Sequence, residues 1–162
     1  MCGIAGKFGG EPASQPTLEK TLKLMHQRGP DFSQATQVWD SKHSVSTQLL
    51  HSRLRIIDLN ERANQPFSFG SRTLVFNGEI YNYIEVRKSL AALGHHFETS
   101  SDTEVLIHAL AEWGTAGLER LEGMWAFAMH DRTDGSLILS RDRFGEKPLY
   151  FRVGSKVCPS AE

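Results

Sequence analysis

Apolar residues along this chain fall into short blocks of two different periods, separated by glycine-rich or polar breaks. Residues 3–8 make a short apolar run of the kind a buried strand allows, closed by Gly9-Gly10-Glu11-Pro12. Behind Thr17, Leu18, Leu22 and Met25 recur at helical spacing. That predicts an N-cap at Thr17 and an amphipathic helix over 17–27, stopped by Gly29-Pro30-Asp31, with Arg28 as a solvated cation at the helix end. Residues 32–50 predict two strands around Asp40-Ser41-Lys42, the second over 44–50 and giving way to a loop at His51-Ser52-Arg53. Residues 73–76 are strand formers ending at Asn77-Gly78, a pair that signals a tight turn between apolar runs.

The second half repeats the alternation. A helix is predicted over 83–93, ended by Gly94, with Ile84, Leu90 and Leu93 as buried candidates. Phe97-Glu98-Thr99 reads as a short strand. Ser101 to Glu104 has the S-x-x-E form of a capping box, and Leu106, Ala109, Leu110 and Trp113 give the helix behind it one apolar face. After a short helix over 118–121, residues 124–130 and 136–141 read as a hairpin around Arg132-Thr133-Asp134-Gly135, and 148–153 as a third strand. Strands of this composition suit a stacked pair of antiparallel sheets.

At 162 residues the chain has the size of one domain with a real core. Its 18 basic and 19 acidic side chains nearly cancel, so neither nucleic acid nor a membrane surface is expected as a partner. No apolar run approaches the roughly 20 residues of a membrane span, and the first residues lack the apolar core of a signal peptide, which fits the cytoplasm. The two cysteines, Cys2 and Cys158, have no metal-binding spacing, the histidines form no HExxH-like pair, and a reducing compartment would leave both thiols free.

Cys2 has two readings. It is a small buried residue of the first strand, or, once an aminopeptidase removes Met1, a nucleophile carrying its own base. A free α-amine titrates near about 7.7–8, so it can take the thiol proton near neutral pH. Other polar residues carry similar pairs of readings. Arg53 is a surface ion-pair residue or a fork for a carboxylate. Asn77 and Gly78 are a hairpin turn, or two donors, a side-chain amide and an outward N–H, aimed at a developing oxyanion. Glu79 is an ordinary exposed acid or a partner for an ammonium. Asp102 is an acid favoured in a first helical turn, or a counter-charge for the same group.

Seven stretches in register decide between these readings. Met1-Cys2-Gly3-Ile4-Ala5-Gly6, His26-Gln27-Arg28-Gly29-Pro30-Asp31, His51-Ser52-Arg53-Leu54-Arg55-Ile56-Ile57-Asp58, Phe76-Asn77-Gly78-Glu79-Ile80-Tyr81-Asn82, Ser101-Asp102-Thr103-Glu104, Leu121-Glu122-Gly123-Met124-Trp125-Ala126-Phe127-Ala128 and Arg141-Asp142-Arg143-Phe144-Gly145-Glu146-Lys147-Pro148-Leu149-Tyr150 follow in order. Together they resemble the class II glutamine amidotransferase domain, the glutaminase part of asparagine synthetase and its relatives.

The resemblance implies an α+β fold, the four-layer αββα sandwich of N-terminal-nucleophile hydrolases, expected here to be cut short at its C-terminal edge. It implies Cys2 as nucleophile, Asn77 and Gly78 as oxyanion donors, and a glutamine site of Arg53, Leu54, Arg55, Ile56, Ile57, Asn77, Gly78, Glu79 and Asp102. Arg53 would hold the α-carboxylate and Asp102 the α-ammonium. The implied reaction is hydrolysis of glutamine through a γ-glutamyl thioester, with no metal or organic cofactor. ATP and Mg belong to a synthetase domain that residues 2–162 do not include. That domain is the expected partner, on a longer parent chain or as a separate subunit, and a homodimer is an open arrangement. Three alternatives stay open: an amidotransferase for a non-aspartate acceptor in a polysaccharide or natural-product pathway, one of the glucosamine-phosphate or phosphoribosylamine-forming kind, and a silent glutaminase-like domain kept for assembly.

Overall fold

The computed structural model describes residues 2–154, so Cys158 lies outside the described residues. Among the described residues, seven strands form two antiparallel sheets. The first contains β1 (Gly3–Phe8), β2 (Phe32–Asp40) and β3 (Val45–Arg53) in the order β1-β3-β2. The second contains β4 (Phe67–Phe69), β5 (Arg72–Ile80), β6 (Gly123–Asp131) and β7 (Ser136–Arg141) in chain order. Helix α1 (Gln15–Met25) packs on the first sheet, α2 (Tyr83–Ala92) and α3 (Asp102–Trp113) cover the second, and β3 and β1 face β5. The expected αββα layering is therefore present.

Burial explains why the central strands do not alternate. Between α1 and the second sheet, β3 is buried at every position from Ser46 to Arg53. It is buried on both faces, so it needs no polar side. The main apolar core lies between the second sheet and α2/α3, with Leu74, Phe76 and Ile80 of β5, Phe127 and Met129 of β6, Val86 and Leu90 of α2, and Leu106, Ile107 and Leu110 of α3.

Several expected elements differ. Helix α1 begins two residues before Thr17, with Ser14 as N-cap, because Pro16 fits the first turn, where its missing N–H costs nothing. In α2, Val86 and Leu90 are buried while Ile84 and Leu93 are exposed, since the helix presents only its α3-facing stripe to the core. Residues 97–99 are a loop; the Glu104 carboxylate takes the Glu98 and Thr99 N–H groups at 2.9 and 2.8 Å, leaving them nothing to give a ladder. The capping box is consequently half formed: the Ser101 hydroxyl accepts from Glu104 N–H, but Glu104 reaches back to the preceding loop instead. Residues 148–153 form no strand. The chain leaves β7 in a turn gathered onto the Asp142 carboxylate, which accepts from the N–H groups of Trp125, Phe144, Glu146 and Lys147 at 2.9–3.2 Å.

Three buried histidines make the fold acid-sensitive. Burial pushes His51 and His108 down to about 4 and lowers His130 as well. The folded state therefore keeps them neutral at pH values where the unfolded chain protonates them at about 6.5. Their contribution is intact above pH 6.5 and is lost as pH falls toward 4. Asp102 opposes with one group, because burial raises its carboxyl to about 6 and the folded state holds that proton longer. Three against one, the thermal midpoint falls between pH 7 and pH 5. His108→Phe makes that fall smaller, keeping a ring against Phe69 and Phe97. Thermal melts of both proteins at the two pH values check this; an equal fall in each would place the acid sensitivity elsewhere.

Candidate active site

The start of β1 and the end of β3 lie side by side, with Gly3 opposite Ser52. That pairing sets Cys2 against the first residue after β3. The Leu54 N–H donates to Cys2 Sγ at 3.4 Å, and the thiol faces the Leu54 carbonyl at 3.8 Å. Burial pushes the Cys2 thiol up; the Leu54 N–H, the chain's terminal charge and Arg53 act the other way without overcoming it. The resting group is thus a thiol that needs a base. The His26–Asp31 stretch braces this corner from behind. Arg28 Nε donates to the Cys2 carbonyl at 3.1 Å, so this cation does more than end the helix. Asp31 accepts from Arg55 N–H at 2.8 Å and donates its own N–H to the Arg53 carbonyl at 3.0 Å.

Strand β5 contributes an open edge. The expected turn at Asn77-Gly78 is absent: β5 runs straight through it, with Gly78 paired opposite Trp125. Glycine is required there for a different reason, since a Cβ would overlap the Met124 carbonyl oxygen and come within 2.8 Å of the Trp125 Cα. Trp125 directs its own backbone groups the other way, toward Asp142, whose N–H bonds the Trp125 carbonyl at 2.8 Å and whose carboxylate takes the Trp125 N–H. Gly78 therefore sits at a non-bonded pair of the β5–β6 ladder, and its N–H points to the opposite edge of β5. Pairing with β4 ends at Leu74, so no strand among the described residues covers that edge. The Phe76 and Ile80 N–H groups share it, and side chains take both: Gln65 Oε1 accepts from Phe76 at 2.6 Å, and Asp102 Oδ2 from Ile80 at 3.0 Å.

One cleft collects these groups. Cys2, Arg53, Leu54, Ile56, Ile57, Asn77, Gly78, Glu79 and Asp102 all line it. Arg55 does not; its half-buried side chain reaches toward Glu61, 3.9 Å away. Arg53 is buried, and four of its donors hold the following loop: Nη1 bonds the Asn60 carbonyl and Asn64 Oδ1 at 2.9 and 2.8 Å, and Nη2 bonds the Ile57 and Asp58 carbonyls. Asp102 is buried across the cleft, with its carboxyl raised to about 6 by burial and, to a lesser degree, by Glu79. Gln65, Phe76, Thr103, Met124 and Lys147 complete the lining. Of these, Lys147 stood inside a recognised stretch without a role. Gln65 carried only the weak signal of a polar residue before a proline.

A family model for the glutamine amidotransferase domain matches residues 1–162. The chain belongs to the glutamine amidotransferase family. Curated relatives of this amidotransferase domain include asparagine synthetase [glutamine-hydrolyzing] 1 of Bacillus subtilis, 40% identical over 158 residues that cover 93% of this chain and 24% of that protein. Asparagine synthetase [glutamine-hydrolyzing] 3 of the same organism is 36% identical, over 93% of this chain and 25% of that protein. The enzyme of that name from Sandersonia aurantiaca is 38% identical, over 95% and 29%. The chain thus spans about a quarter of the length of these relatives. Among solved structures, a glutamine phosphoribosylpyrophosphate amidotransferase from B. subtilis, complexed with ADP and GMP, superposes with a TM-score of 0.65 at 24% identity, over 85% of this chain and 37% of that one. At that identity the likeness speaks for the fold, the N-terminal-nucleophile sandwich.

The amidotransferase edge has a direct test. Gly78→Ala forces β5 and β6 apart at the cleft, and overpacking of this kind costs about 1–3 kcal/mol. For a domain of this size that lowers the thermal midpoint by roughly 2–12 °C. A melt as high as that of the parent chain would mean the two strands can shift freely at Gly78.

Proposed function

We propose that this domain hydrolyses glutamine to glutamate and ammonia through a γ-glutamyl thioester on Cys2, and that the ammonia feeds an asparagine synthetase-type, ATP-dependent amidation. The observation that carries the reading is the convergence in one cleft of a half-buried thiol, an uncovered backbone N–H at Gly78 and a buried carboxylate at Asp102.

Substrate glutamine lies with its α-ammonium at Asp102 and its α-carboxylate toward Arg53. Because four Arg53 donors already hold the loop, Arg53 meets the carboxylate chiefly through its charge and its Nε–H. Leu54, Ile56, Ile57 and Glu79 border the rest of the molecule. With Met1 removed, the Cys2 α-amine takes the thiol proton and Sγ attacks the side-chain amide carbon. The amide oxygen becomes an oxyanion held by the Gly78 N–H and the Asn77 amide, donors worth roughly a hundredfold to a thousandfold in rate. The α-ammonium returns its proton to the leaving nitrogen, the C–N bond breaks, and ammonia departs. Water, deprotonated by the same amine, then attacks the thioester and releases glutamate and the thiol. Thiol, amine and two donors suffice for each step, so this half needs no metal or organic cofactor. ATP and Mg serve the synthetase domain that activates the acceptor acid, on a longer chain or a partner subunit. Such a biosynthetic role belongs to the cytoplasm, and among the described residues no helix is long and apolar enough to cross a membrane.

Two experiments test the reading. The processed chain, treated with 6-diazo-5-oxonorleucine, gains one covalent adduct at Cys2 by intact mass, and Cys2→Ala loses both adduct and glutamine hydrolysis while melting at the parent temperature; hydrolysis that survives in Cys2→Ala rules out the thioester. For binding, Asp102 must be ionised to attract the ammonium, so KM for glutamine rises as pH drops below about 6. Asp102→Asn raises KM above about pH 6, leaves it near the parent value well below, and removes that dependence; a lowered kcat with unchanged KM would move Asp102 from binding to chemistry.

A further inference from the structure

Along the open edge of β5 the backbone groups run in a fixed order: Phe76 N–H, Phe76 C=O, Gly78 N–H, Gly78 C=O, Ile80 N–H. The Phe76 N–H and C=O are both capped, and by side chains from two different elements. Gln65, from the segment leading into β4, accepts the N–H at 2.6 Å. His51, from β3 of the facing sheet, bonds the carbonyl through Nε2 at 3.2 Å. A carbonyl can only accept, so Nε2 carries the hydrogen and the ring stands in one tautomer. Gln65 also donates from Nε2 to Thr103 Oγ1 at 3.2 Å, next to Asp102. Gln65 and Thr103 are each 4% exposed and His51 is fully buried, so water does not compete for these bonds.

The geometry points to Gln65 as a positioning residue for glutamine hydrolysis, one that fixes the Gly78 N–H through the Phe76 peptide and ties it to the Asp102 end of the cleft through Thr103. This rests on the proposed glutaminase reading and adds to it a residue that does not touch the reacting atoms. One amide has its acceptor on the strand that offers the oxyanion donor and its donor on the first turn of the helix that offers the ammonium partner. It therefore sets the separation of those two groups. His51 steadies the same peptide from the other sheet. Without Gln65 the Phe76 N–H is buried with no acceptor, and β5 shifts to find one, taking Gly78 with it. Oxyanion donors act only where charge develops, and a displacement of about 1 Å can cost roughly a hundredfold.

The processed chain and its Gln65→Leu and Thr103→Val variants are compared in three readings: kcat and KM for glutamine, the rate of Cys2 alkylation by iodoacetamide, and the thermal midpoint. Alkylation displaces iodide and forms no oxyanion, so it reports the thiol alone. The expected result for Gln65→Leu is a fall in kcat of about tenfold to a hundredfold, KM within about threefold, and alkylation unchanged. Thr103→Val, which keeps the Phe76 bond and only releases the amide, should lose less in the same pattern and remain readable if Gln65→Leu does not fold. Equal losses in kcat and alkylation, or parent kcat in a folded Gln65→Leu, would overturn the positioning role. A parent chain with alkylatable Cys2 and no glutamine turnover would instead overturn the glutaminase reading on which it stands.

Discussion

An unpaired stretch of strand edge inside a folded domain is the constraint from which the cleft follows. Backbone N–H and C=O groups buried without partners are costly, so a sheet that stops short on one side must be finished by something else. Here β4 covers β5 only as far as Leu74, and the remaining edge is finished by single side chains. Gln65, His51 and Asp102 each come from a different element, so closing the edge also fixes how the segment before β4, the facing sheet and α3 sit around it. Gly78 is the exception: its N–H lies between two capped neighbours and opens into the cleft beside Cys2. The fold thus leaves one donor of this edge open to an acceptor from outside the strand.

The sequence made the layers and most of the elements legible, because two-period patterning and end signals are local and the core follows them. Leu106, Ala109 and Leu110 on α3 and the β6–β7 hairpin stand where periodicity places them. The readings that fail depend on partners far along the chain. Asn77-Gly78 has the local chemistry of a turn, yet β6 supplies a ladder up to Ile80, and nine paired positions outweigh a two-residue preference. Glu104 at the third helical position looks like a reciprocal cap, but the loop at 98–99 offers it two N–H groups and a hydroxyl. The apolar run at 148–153 has strand composition and no strand to pair with among the described residues.

The candidate site was legible by type more than by geometry. The recognised stretches bring Cys2, Arg53, Asn77, Gly78 and Asp102 into one cleft, while Arg55 stays out of its lining and reaches toward Glu61. Gln65 escaped because its role exists only where the β5 edge, α3 and its own loop meet.

Arg53 shows how closely fold and chemistry share parts. Its guanidinium gathers the carbonyls of residues 57, 58 and 60 and the Asn64 amide into a loop, and that loop starts at Leu54, whose N–H touches the Cys2 sulfur. The cation that shapes one wall of the cleft therefore also bears on the position of the Cys2 sulfur. The thiol there is half-buried, and its burial favours the protonated form. A thiol that burial keeps in its neutral form resists adventitious reaction, because the thiolate and not the thiol is the reactive species.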